Sequence, residues 1–299
     1  MIEIPENEIV INNVQTIKFA LWKRGGGIHQ DLLSWPAYVM KDLREPEFLH
    51  VFRKELPVNG VILDIGANIG YNTLTAAQMI SEIGGKGIIL AIEPDPRNYQ
   101  FLQRAIQENI FDIPIHTFNL ALSNFNGNSE FYLSDATNLN SFKKTKHSKE
   151  FIVVEVKTLF DFMSGRGFPD FIKMDVEGAE VEILEGGLPL FKQSFPCKIL
   201  MEVHPKLYHP GDLQYQLYAL LDLGFHIKYV MSAGVACPDE FKAKGYKPDM
   251  EFQSGSFTRG LYTNIKEDDA IEWASNVIHQ KTPVGVSPKI VRAIMLERE

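Results

Sequence analysis

The segment Gly60–Gln78, GVILDIGANIGYNTLTAAQ, decides the fold that this sequence predicts. Its first part, VILDIGA, is short, apolar and rich in β-branched residues, which is typical of a buried strand. Its last part, YNTLTAAQ, carries apolar residues at helical spacing. Between them, Gly66 and Gly70 permit a sharp change of chain direction. The sequence therefore predicts a strand, a tight glycine-rich turn and a helix.

The same alternation continues along the chain. A second apolar run, GIILAIEP (residues 87–94), precedes a helix for which Asp95 is the expected N-cap and Pro96 the first residue. A third run, IPIHTFNLALS, occupies residues 113–123. Near-continuous apolar strands that alternate with amphipathic helices predict an α/β fold whose parallel sheet is covered on both faces.

The second half of the chain supplies further elements of both kinds. We predict buried strands in residues 169–178 and 197–205, each ending in polar side chains. Between them, residues 179–191, AEVEILEGGLPLF, predict a helix that Gly186-Gly187 terminates. The segment FTRGLYTNI (257–265) predicts a closing antiparallel strand. The segments EDDAIEWASNVI and PKIVRAIMLERE predict two C-terminal helices.

The glycine turn, D-I-G-A-N-I-G, differs from two common phosphate-binding motifs. It lacks the G-x-G-x-x-G spacing that places a pyrophosphate on a helix N-terminus, and no Gly-Lys-Ser/Thr follows it. Asp64 precedes the turn, where a carboxylate repels phosphate but attracts a ligand that carries an ammonium or sulfonium group. The turn therefore indicates a cationic ligand more than a phosphate.

Two other strand ends are candidates for the same ligand. Glu93 ends the second predicted strand, where an acid accepts hydrogen bonds from ribose hydroxyls. The alternative is an ordinary acid favoured at a helix N-terminus. Leu120–Leu122, at the end of the third strand, offers an apolar wall to an adenine ring, or is simply part of the core.

Five stretches of the chain resemble the FkbM methyltransferase family, within the class I S-adenosylmethionine-dependent methyltransferases. They span about residues 50–230 and are LDIGANIGYNTL, AIEPDPRNYQFLQRAIQEN, LALSNFNGNSEFYL, FIKMDVEGAEVEILEGG and LMEVHP. The resemblance implies a Rossmann-like, doubly wound α/β sheet of seven strands, mostly parallel with a reversed last strand. It also implies S-adenosylmethionine as methyl donor and O-methylation of a hydroxyl on a small molecule, sugar or glycan. The cofactor-binding residues that it implies are Asp64, Gly66, Asn68, Gly70, Glu93, Leu122 and Ser123.

Two predicted strands end in side chains that suit proton transfer. The fourth supplies Lys173, Asp175 and Glu177, and the fifth supplies Glu202 and His204, with residues two apart on the same side. His204 is the candidate general base, because imidazole titrates near neutrality; the alternative is a loop histidine. Asp175 is expected to orient donor or acceptor, and Glu202 either orients the acceptor or pairs with Lys173. Glu177 either joins the site or caps the next helix.

A metal-assisted alternative uses Asp175, Glu202 and His204 as ligands of a divalent cation. Such an ion would lower the pKa of an acceptor hydroxyl. The chain has no short metal-binding signature, so we favour a metal-free site with S-adenosylmethionine as its cofactor.

The sequence suggests three parts of the chain, although the first 45 residues and those after about 235 lie outside the family resemblance. We expect an N-terminal cap in residues 1–50, a cofactor-binding methyltransferase domain in residues 51–265 and a C-terminal helical extension in residues 266–299. The polar segment 135–150, with Asn138, Asn140 and KKTKHSK (143–149), is either a solvated loop or a contact for the acceptor.

Composition limits the classes of function. The chain has 299 residues, of which 45% are hydrophobic, and a net charge of −8. That balance predicts a globular protein that is not a general nucleic-acid binder. No basic, apolar leader and no apolar run of about 20 residues is found, so we expect no signal peptide and no membrane span. With only two cysteines, a cytoplasmic location is favoured.

Three other functions compete with O-methylation of a small molecule or glycan. An RNA or protein methyltransferase would use the same fold, and a catalytically silent module would bind the cofactor without turnover. The missing G-x-G-x-x-G motif counts against a nicotinamide-dependent dehydrogenase. A homo-oligomer is compatible with the sequence.

Overall fold

The computed structural model describes residues 9–14, 16–24, 27–28, 45–134, 140–142, 144 and 148–299. In chain order the strands are β1 (Ile9–Val14), β2 (Ile17–Arg24), β3 (Gly27–Ile28), β4 (Asn59–Ile65), β5 (Lys86–Ile92), β6 (Ile115–Phe118), β7 (Ala121–Ser123), β8 (Gly127–Ser134), β9 (Ser148–Thr158), β10 (Phe171–Met174), β11 (Cys197–Glu202), β12 (His226–Ser232), β13 (Met250–Ser254), β14 (Phe257–Tyr262), β15 (Gln280–Thr282), β16 (Gly285–Ser287) and β17 (Val291–Arg298).

Eight α-helices lie between the strands along the described chain. They are α1 (Pro46–Glu55), α2 (Tyr71–Glu82), α3 (Pro96–Glu108), α4 (Leu159–Met163), α5 (Glu180–Phe191), α6 (Asp212–Asp222), α7 (Asp239–Ala243) and α8 (Glu267–Ser275), with a short 3₁₀ helix at Pro205–Leu207. Among the helices within these described parts, none combines the length and the hydrophobicity that a membrane-spanning segment needs. Asp95 caps α3 as predicted, because its side chain accepts a hydrogen bond from the backbone N–H of Arg97.

The central sheet has nine strands in the order β13-β14-β12-β17-β11-β10-β4-β5-β6. The strands β4, β5, β6, β10 and β11 run parallel, and β17 runs antiparallel to both of its neighbours, β11 and β12. The seven strands from β12 to β6 confirm the predicted doubly wound sheet with a reversed last strand. The pair β13 and β14 extends its edge.

The reversed strand lies in a segment for which the sequence predicted a helix. Residues 291–298 form β17 in the middle of the sheet, so the prediction of a C-terminal helix there is wrong. A central strand is buried on both faces, and its near-continuous apolar run lacks the alternation that distinguishes strand from helix. Residues 257–262 do form an antiparallel strand, β14, but it pairs with β12 and β13. Of the predicted C-terminal helical extension, only 267–275 is helical among its described residues.

Helices cover both faces of the central sheet. Phe52 of α1 and Ile80 of α2 are buried against one face. Leu184 of α5, Leu217 of α6 and Ile271 of α8 are buried against the other. Apolar burial on both faces is what stabilises a parallel sheet in this arrangement.

Helix α5 continues through the two glycines that were expected to end it. It runs from Glu180 to Phe191, so that prediction is wrong. A Cβ atom on Gly186 would lie 2.2 Å from the backbone carbonyl oxygen of Ser123 in β7. Glycine is therefore required here for close packing of α5 on β7, and the packing offsets its poor helix propensity.

The described residues form three smaller sheets besides the central one, of which one is the two-stranded pair β15-β16. β1 pairs with β2, and the apolar side chains of β2 pack against α2 and α3 through residues such as Phe19 and Leu74. The third sheet has the order β7-β9-β8 and follows β6 directly. Asn138 and most of residues 143–149 lie outside the described residues.

The strand order indicates at which edge of the central sheet a ligand can bind. The chain proceeds from β4 to β5 and β6, and then returns to β10 on the other side of β4. In such sheets, ligands bind outside the carboxyl ends of the strands at the point where the order reverses. The turns after β4, β5 and β10 therefore converge on one cleft, and His204, after β11, lies beside Glu177 of this cleft.

Candidate active site

The turn after β4 is shaped by residues with positive φ. Gly66 has φ 74°, Asn68 has φ 53°, and Gly70 has φ 97° at the N-cap of α2. A Cβ atom on Gly66 would lie 2.0 Å from the backbone oxygen of Asp175. Glycine thus lets the turn after β4 touch the end of β10, which brings the two strand ends together.

Asp64 supports this turn from inside the protein. Its carboxylate lies 2.9 Å from Lys173 Nζ and accepts a hydrogen bond of 2.6 Å from the Thr73 hydroxyl. Lys173 also donates to the backbone oxygen of Gly66 at 2.8 Å. Asp64 is buried and does not line the cleft. Asp64 is therefore connected to the cleft through Lys173, which donates to Gly66, a residue that lines the cleft.

Glu93, at the end of β5, is a buried acid on the wall of the cleft. Its Oε1 accepts a hydrogen bond from the backbone N–H of Asp95 at 2.9 Å, and its Oε2 accepts one from that of Asn68 at 2.8 Å. Burial, followed by the charge of Asp95, raises the pKa of Glu93 to about 8 against these hydrogen bonds. The acid is thus fixed in place, facing the cleft, by two backbone groups.

The cleft has a volume of about 550 Å³ including its open mouth. Its apolar side is formed by Ile65, Ile92, Pro94, Ala121, Leu122, Phe131, Phe142, Val176, Ala179 and Ile183, and its polar side by Gly66, Asn68, Glu93, Asn98, Asn140, Asp175 and Glu177. Leu122 lines the cleft, whereas the neighbouring Ser123 is buried behind it. Asn140 is held by hydrogen bonds to Asp95 at 2.6 Å and from the backbone of Ser134 at 2.7 Å.

His204, after β11, is surrounded by three carboxylates. Its Nδ1 lies 2.8 Å from Glu180 Oε1, and its Nε2 lies 3.5 Å from both Glu177 Oε2 and Glu202 Oε1. The hydroxyl of Tyr208 donates to the second oxygen of Glu180 at 2.9 Å and accepts a hydrogen bond of 2.7 Å from the backbone N–H of His204. We call Glu177, Glu180, Glu202, His204 and Tyr208 the histidine cluster.

Charges within the histidine cluster shift the pKa values of its members. Although burial acts in the opposite direction, Glu180 and the other carboxylates raise the pKa of His204 well above its ordinary value. Burial favours protonation of Glu180, but the imidazolium of His204 keeps its pKa below the ordinary value. Glu177 differs, because burial dominates and raises its pKa to about 7. Burial, then the charge of Glu202, raises the pKa of Asp175 as well.

Glu202 is engaged by two cations from the C-terminal segment. Lys289 Nζ lies 3.0 Å from its Oε1, and Arg292 Nη2 lies 2.9 Å from its Oε2. Burial alone would raise its pKa, but Arg292 and Lys289 hold that pKa well below the ordinary value. Lys173, the partner considered for Glu202 in the sequence, instead pairs with Asp64.

One group within the described parts of the chain has the spacing of metal ligands. It consists of Asp175, Glu177 and His204, whose donor atoms lie within 4.8 Å of one another. It differs from the sequence-based alternative because Glu202 is held by its two cations. A protonated imidazole donates from both nitrogens and has no lone pair for a metal. A metal at this group would therefore require His204 to lose a proton.

Four residues around His204 were not identified from the sequence. Glu180 lies three residues after Glu177 in the motif DVEGAE, a spacing that could have drawn attention to it. Tyr208 carries no such signal. Lys289 and Arg292 belong to the segment predicted as a helix, and nothing local indicates that they reach Glu202, which lies 87 residues before Lys289.

The strand order and the reversed strand are those of a class I methyltransferase, and the cleft lies where such enzymes bind their ligands. The model of the FkbM methyltransferase domain matches residues 64–227, more than half of the chain. The chain therefore belongs to the FkbM family of S-adenosylmethionine-dependent methyltransferases. The family resemblance inferred from the sequence is confirmed.

Three relatives are similar over part of the chain. The 2-O-methyltransferase NoeI of Sinorhizobium fredii is 31% identical over 183 residues, which cover 54% of this chain and 70% of that protein. The methyltransferase sdnD of Sordaria araneosa is 28% identical over 219 residues, covering 62% and 80%. Methyltransferase 1 of Beauveria bassiana is 28% identical over 151 residues, covering 44% of this chain and only 59% of its own length.

Solved structures give more distant matches. The S-adenosylmethionine-dependent methyltransferase from Agrobacterium tumefaciens is 8% identical with a TM-score of 0.38, covering 98% of this chain and 70% of that chain. A methyltransferase from Pyrococcus furiosus is 14% identical with a TM-score of 0.37, covering 78% and 95%.

Proposed function

We propose that this protein transfers a methyl group from S-adenosylmethionine to a hydroxyl of a small molecule, sugar or glycan. The observation that carries the proposal is one cleft that joins a nucleoside-type wall to a cluster of carboxylates and histidine. Glu93 and Leu122 belong to the wall, and Asp175 and Glu177 lie on the same cleft beside His204.

The cleft fits the chemistry of the cofactor. Both oxygens of Glu93 accept backbone N–H groups, which fixes the carboxyl group where it can hydrogen-bond to a ribose diol. Leu122 and Ile183 contribute apolar surface suited to an adenine ring. The turn at Gly66 and Asn68 brings the backbone close to the cleft. When bound, S-adenosylmethionine supplies a methyl group on a sulfonium that leaves without further activation.

The residues beyond the cofactor wall suit an alcohol acceptor. An alcohol must lose its proton as it is methylated, and a positioned side chain that takes the proton accelerates the reaction. Asp175 and Glu177 offer acceptor oxygens to hydroxyl groups, and His204 and Glu202 organise them. The name of the relative NoeI, a 2-O-methyltransferase, supports hydroxyl methylation. The net charge of −8 favours such acceptors over RNA.

Calorimetry tests the cofactor part of the proposal. S-adenosylhomocysteine should bind the wild type with a micromolar Kd, NAD⁺ should not bind, and Glu93→Ala should lose the nucleoside. The exposed glutamate of α8, Glu272, provides the matched control Glu272→Ala, which should bind like the wild type. Preference for NAD⁺, or no binding of S-adenosylhomocysteine, would contradict the proposal.

Methyl transfer tests the acceptor part. S-adenosylmethionine with a labelled methyl group is incubated with a panel of methyl glycosides, small phenols, RNA and protein lysate. A new O-methyl signal in a hydroxyl-bearing small molecule is the expected result. Label found only in RNA or protein would replace this acceptor class with a macromolecular one, and binding without any transfer would indicate a silent module.

A further inference from the structure

The histidine cluster assigns different roles to carboxylates that look equivalent in the sequence. Glu180 is buried, accepts a hydrogen bond from Tyr208 and contacts His204 Nδ1. Glu202 is buried and bound by Lys289 and Arg292. Of the three acids around His204, Glu177 is the one that lines the cleft, with 29% of its side chain exposed.

The backbone of Glu177 is held in an unusual conformation that directs it to the cleft. Its φ is 51°, in the left-handed region that non-glycine residues rarely adopt. Gly178 follows with φ 102°, and a Cβ atom there would lie 2.7 Å from Leu207 Cβ. The Ser141 hydroxyl donates to the Glu177 carbonyl at 3.2 Å. Strained residues that the surroundings hold in place concentrate at functional sites.

His204 does not itself line the cleft, and carboxylates engage both of its ring nitrogens. Both of its ring nitrogens face carboxylate oxygens, Nδ1 at 2.8 Å and Nε2 at 3.5 Å. Two nitrogens that both face acceptors are the arrangement of an imidazolium, in which both donate. The carboxylates around it stabilise the same charged form.

We propose that Glu177 is the general base that removes the proton of the acceptor hydroxyl, and that His204 is a positioning residue. The proposal rests on the proposed O-methyl transfer. The hydroxyl proton passes to a carboxylate oxygen of Glu177, and the oxygen's electron pair forms the new O–C bond. The C–S bond breaks with its electron pair remaining on sulfur, which becomes the neutral thioether of S-adenosylhomocysteine. Glu180 and Tyr208 hold His204 so that its charge stabilises ionised Glu177.

The pH dependence of the base follows from the groups that face it. The charge of His204 favours ionised Glu177, whereas burial and the carboxylates of Asp175, Glu202 and Glu180 favour the protonated form. The balance leaves the pKa of Glu177 at about 7. Activity should therefore rise about tenfold per pH unit below 7 and level off above it.

Nuclear magnetic resonance of the protein saturated with S-adenosylhomocysteine tests the assignment without an acceptor. Glu177 is identified by comparing ¹³C-carboxyl spectra of the wild type and Glu177→Gln, and His204 by comparing ¹⁵N spectra with His204→Gln. We expect Glu177 to titrate near pH 7 and His204 to remain protonated on both nitrogens at pH 7.5. A neutral His204 at that pH, with Glu177 titrating near 4.5, would overturn the proposal.

Kinetics on a methyl glycoside accepted in the acceptor screen separate the two roles. Glu177→Gln should lower kcat by about 100- to 10,000-fold at every pH, and Glu177→Asp should restore part of it. His204→Gln removes the cation, so its activity should be low at pH 7 and recover at higher pH. If His204→Gln were inactive at every pH, while the activity of Glu177→Gln rose with pH as in the wild type, histidine would be the base.

Two controls keep failure of this inference distinct from failure of the proposed function. Each variant's affinity for S-adenosylhomocysteine should match the wild type within about threefold, and Glu272→Gln should match it in every assay. If no acceptor is methylated, the proposed function fails, while the resonance experiment still decides which side chain is poised as a base.

Discussion

The burial of Glu93 predicts that the free protein loses stability as the pH rises. Burial, and then Asp95, raises the pKa of this carboxyl from 4.5 to about 8. A carboxyl with a raised pKa in the folded state retains its proton there while the unfolded chain has lost it. The resulting stability is fully present below the unfolded pKa, and it is lost as the pH rises through the folded pKa.

The size of the effect follows from the two pKa values. Each pH unit between them removes about 1.36 kcal/mol, so the full interval corresponds to about 5 kcal/mol. Residue 93 cannot ionise in Glu93→Gln, so the free energy of unfolding of this variant lacks this dependence on pH. Its amide nitrogen would face the backbone N–H of Asn68 or Asp95, which costs about 1 kcal/mol at any pH. The variant should have about the same stability as the wild type at pH 5 and be more stable at pH 8.5 by about 3–4 kcal/mol.

Urea unfolding at pH values from 5 to 9, without nucleoside, measures this difference. Glu272→Gln serves as the control, because Glu272 is exposed on α8 and its replacement should leave the profile parallel to that of the wild type. The informative quantity is the change with pH in the difference between wild type and Glu93→Gln, since other titrating groups contribute to both. A difference that stays constant from pH 5 to 9 would refute the argument from burial.

Other features of the site lead to further expectations. Gly66→Ala should destabilise the protein by about 3 kcal/mol in chemical unfolding, because it combines a positive φ with a Cβ placed 2.0 Å from the Asp175 carbonyl oxygen. Gly84→Ala, at φ 66° in open space, is the matched control and should cost about 1 kcal/mol; equal losses would contradict the contact argument. Lys173→Met should lower stability by about 3–5 kcal/mol, since it leaves Asp64 buried without its cation, and adding Asp64→Asn should restore part of the thermal stability. EDTA should leave methyl transfer unchanged, and a loss that Mg²⁺ restores would point to a metal.

Features set by local chain chemistry could be predicted from the sequence. The strand, glycine turn and helix from Gly60 onward depend on apolar spacing and on glycine conformations, and both are local properties. Asp95 and Pro96 likewise signal the start of α3, and the Asp95 side chain does accept the capping hydrogen bond. Glu93 was placed on the cleft for the same reason, because the end of β5 follows from its sequence pattern.

Features that depend on distant partners could not be predicted in this way. Gly186 is a helix breaker by propensity, and only its contact with the Ser123 carbonyl, 63 positions earlier by sequence number, shows why α5 continues. β17 carries apolar side chains on both faces because it lies between two strands and under two layers of helices. The spacing of its own residues gives no indication of these neighbours. Its cations, Arg292 and Lys289, therefore could not be assigned to the site.

The reversed strand has a chemical role as well as a structural one. Buried Glu202 would be costly without cations, and both of its cations come from β17 or from the residues just before it. Arg292 also lies 2.6 Å from Glu45, just before α1, so β17 contacts the residue that precedes α1. If Glu202 lacked these partners, it would bind the imidazolium of His204 more strongly and weaken the effect of that charge on Glu177. Insertion of β17 between β11 and β12 thus completes the sheet and also brings cations to Glu202, which lies 3.5 Å from His204.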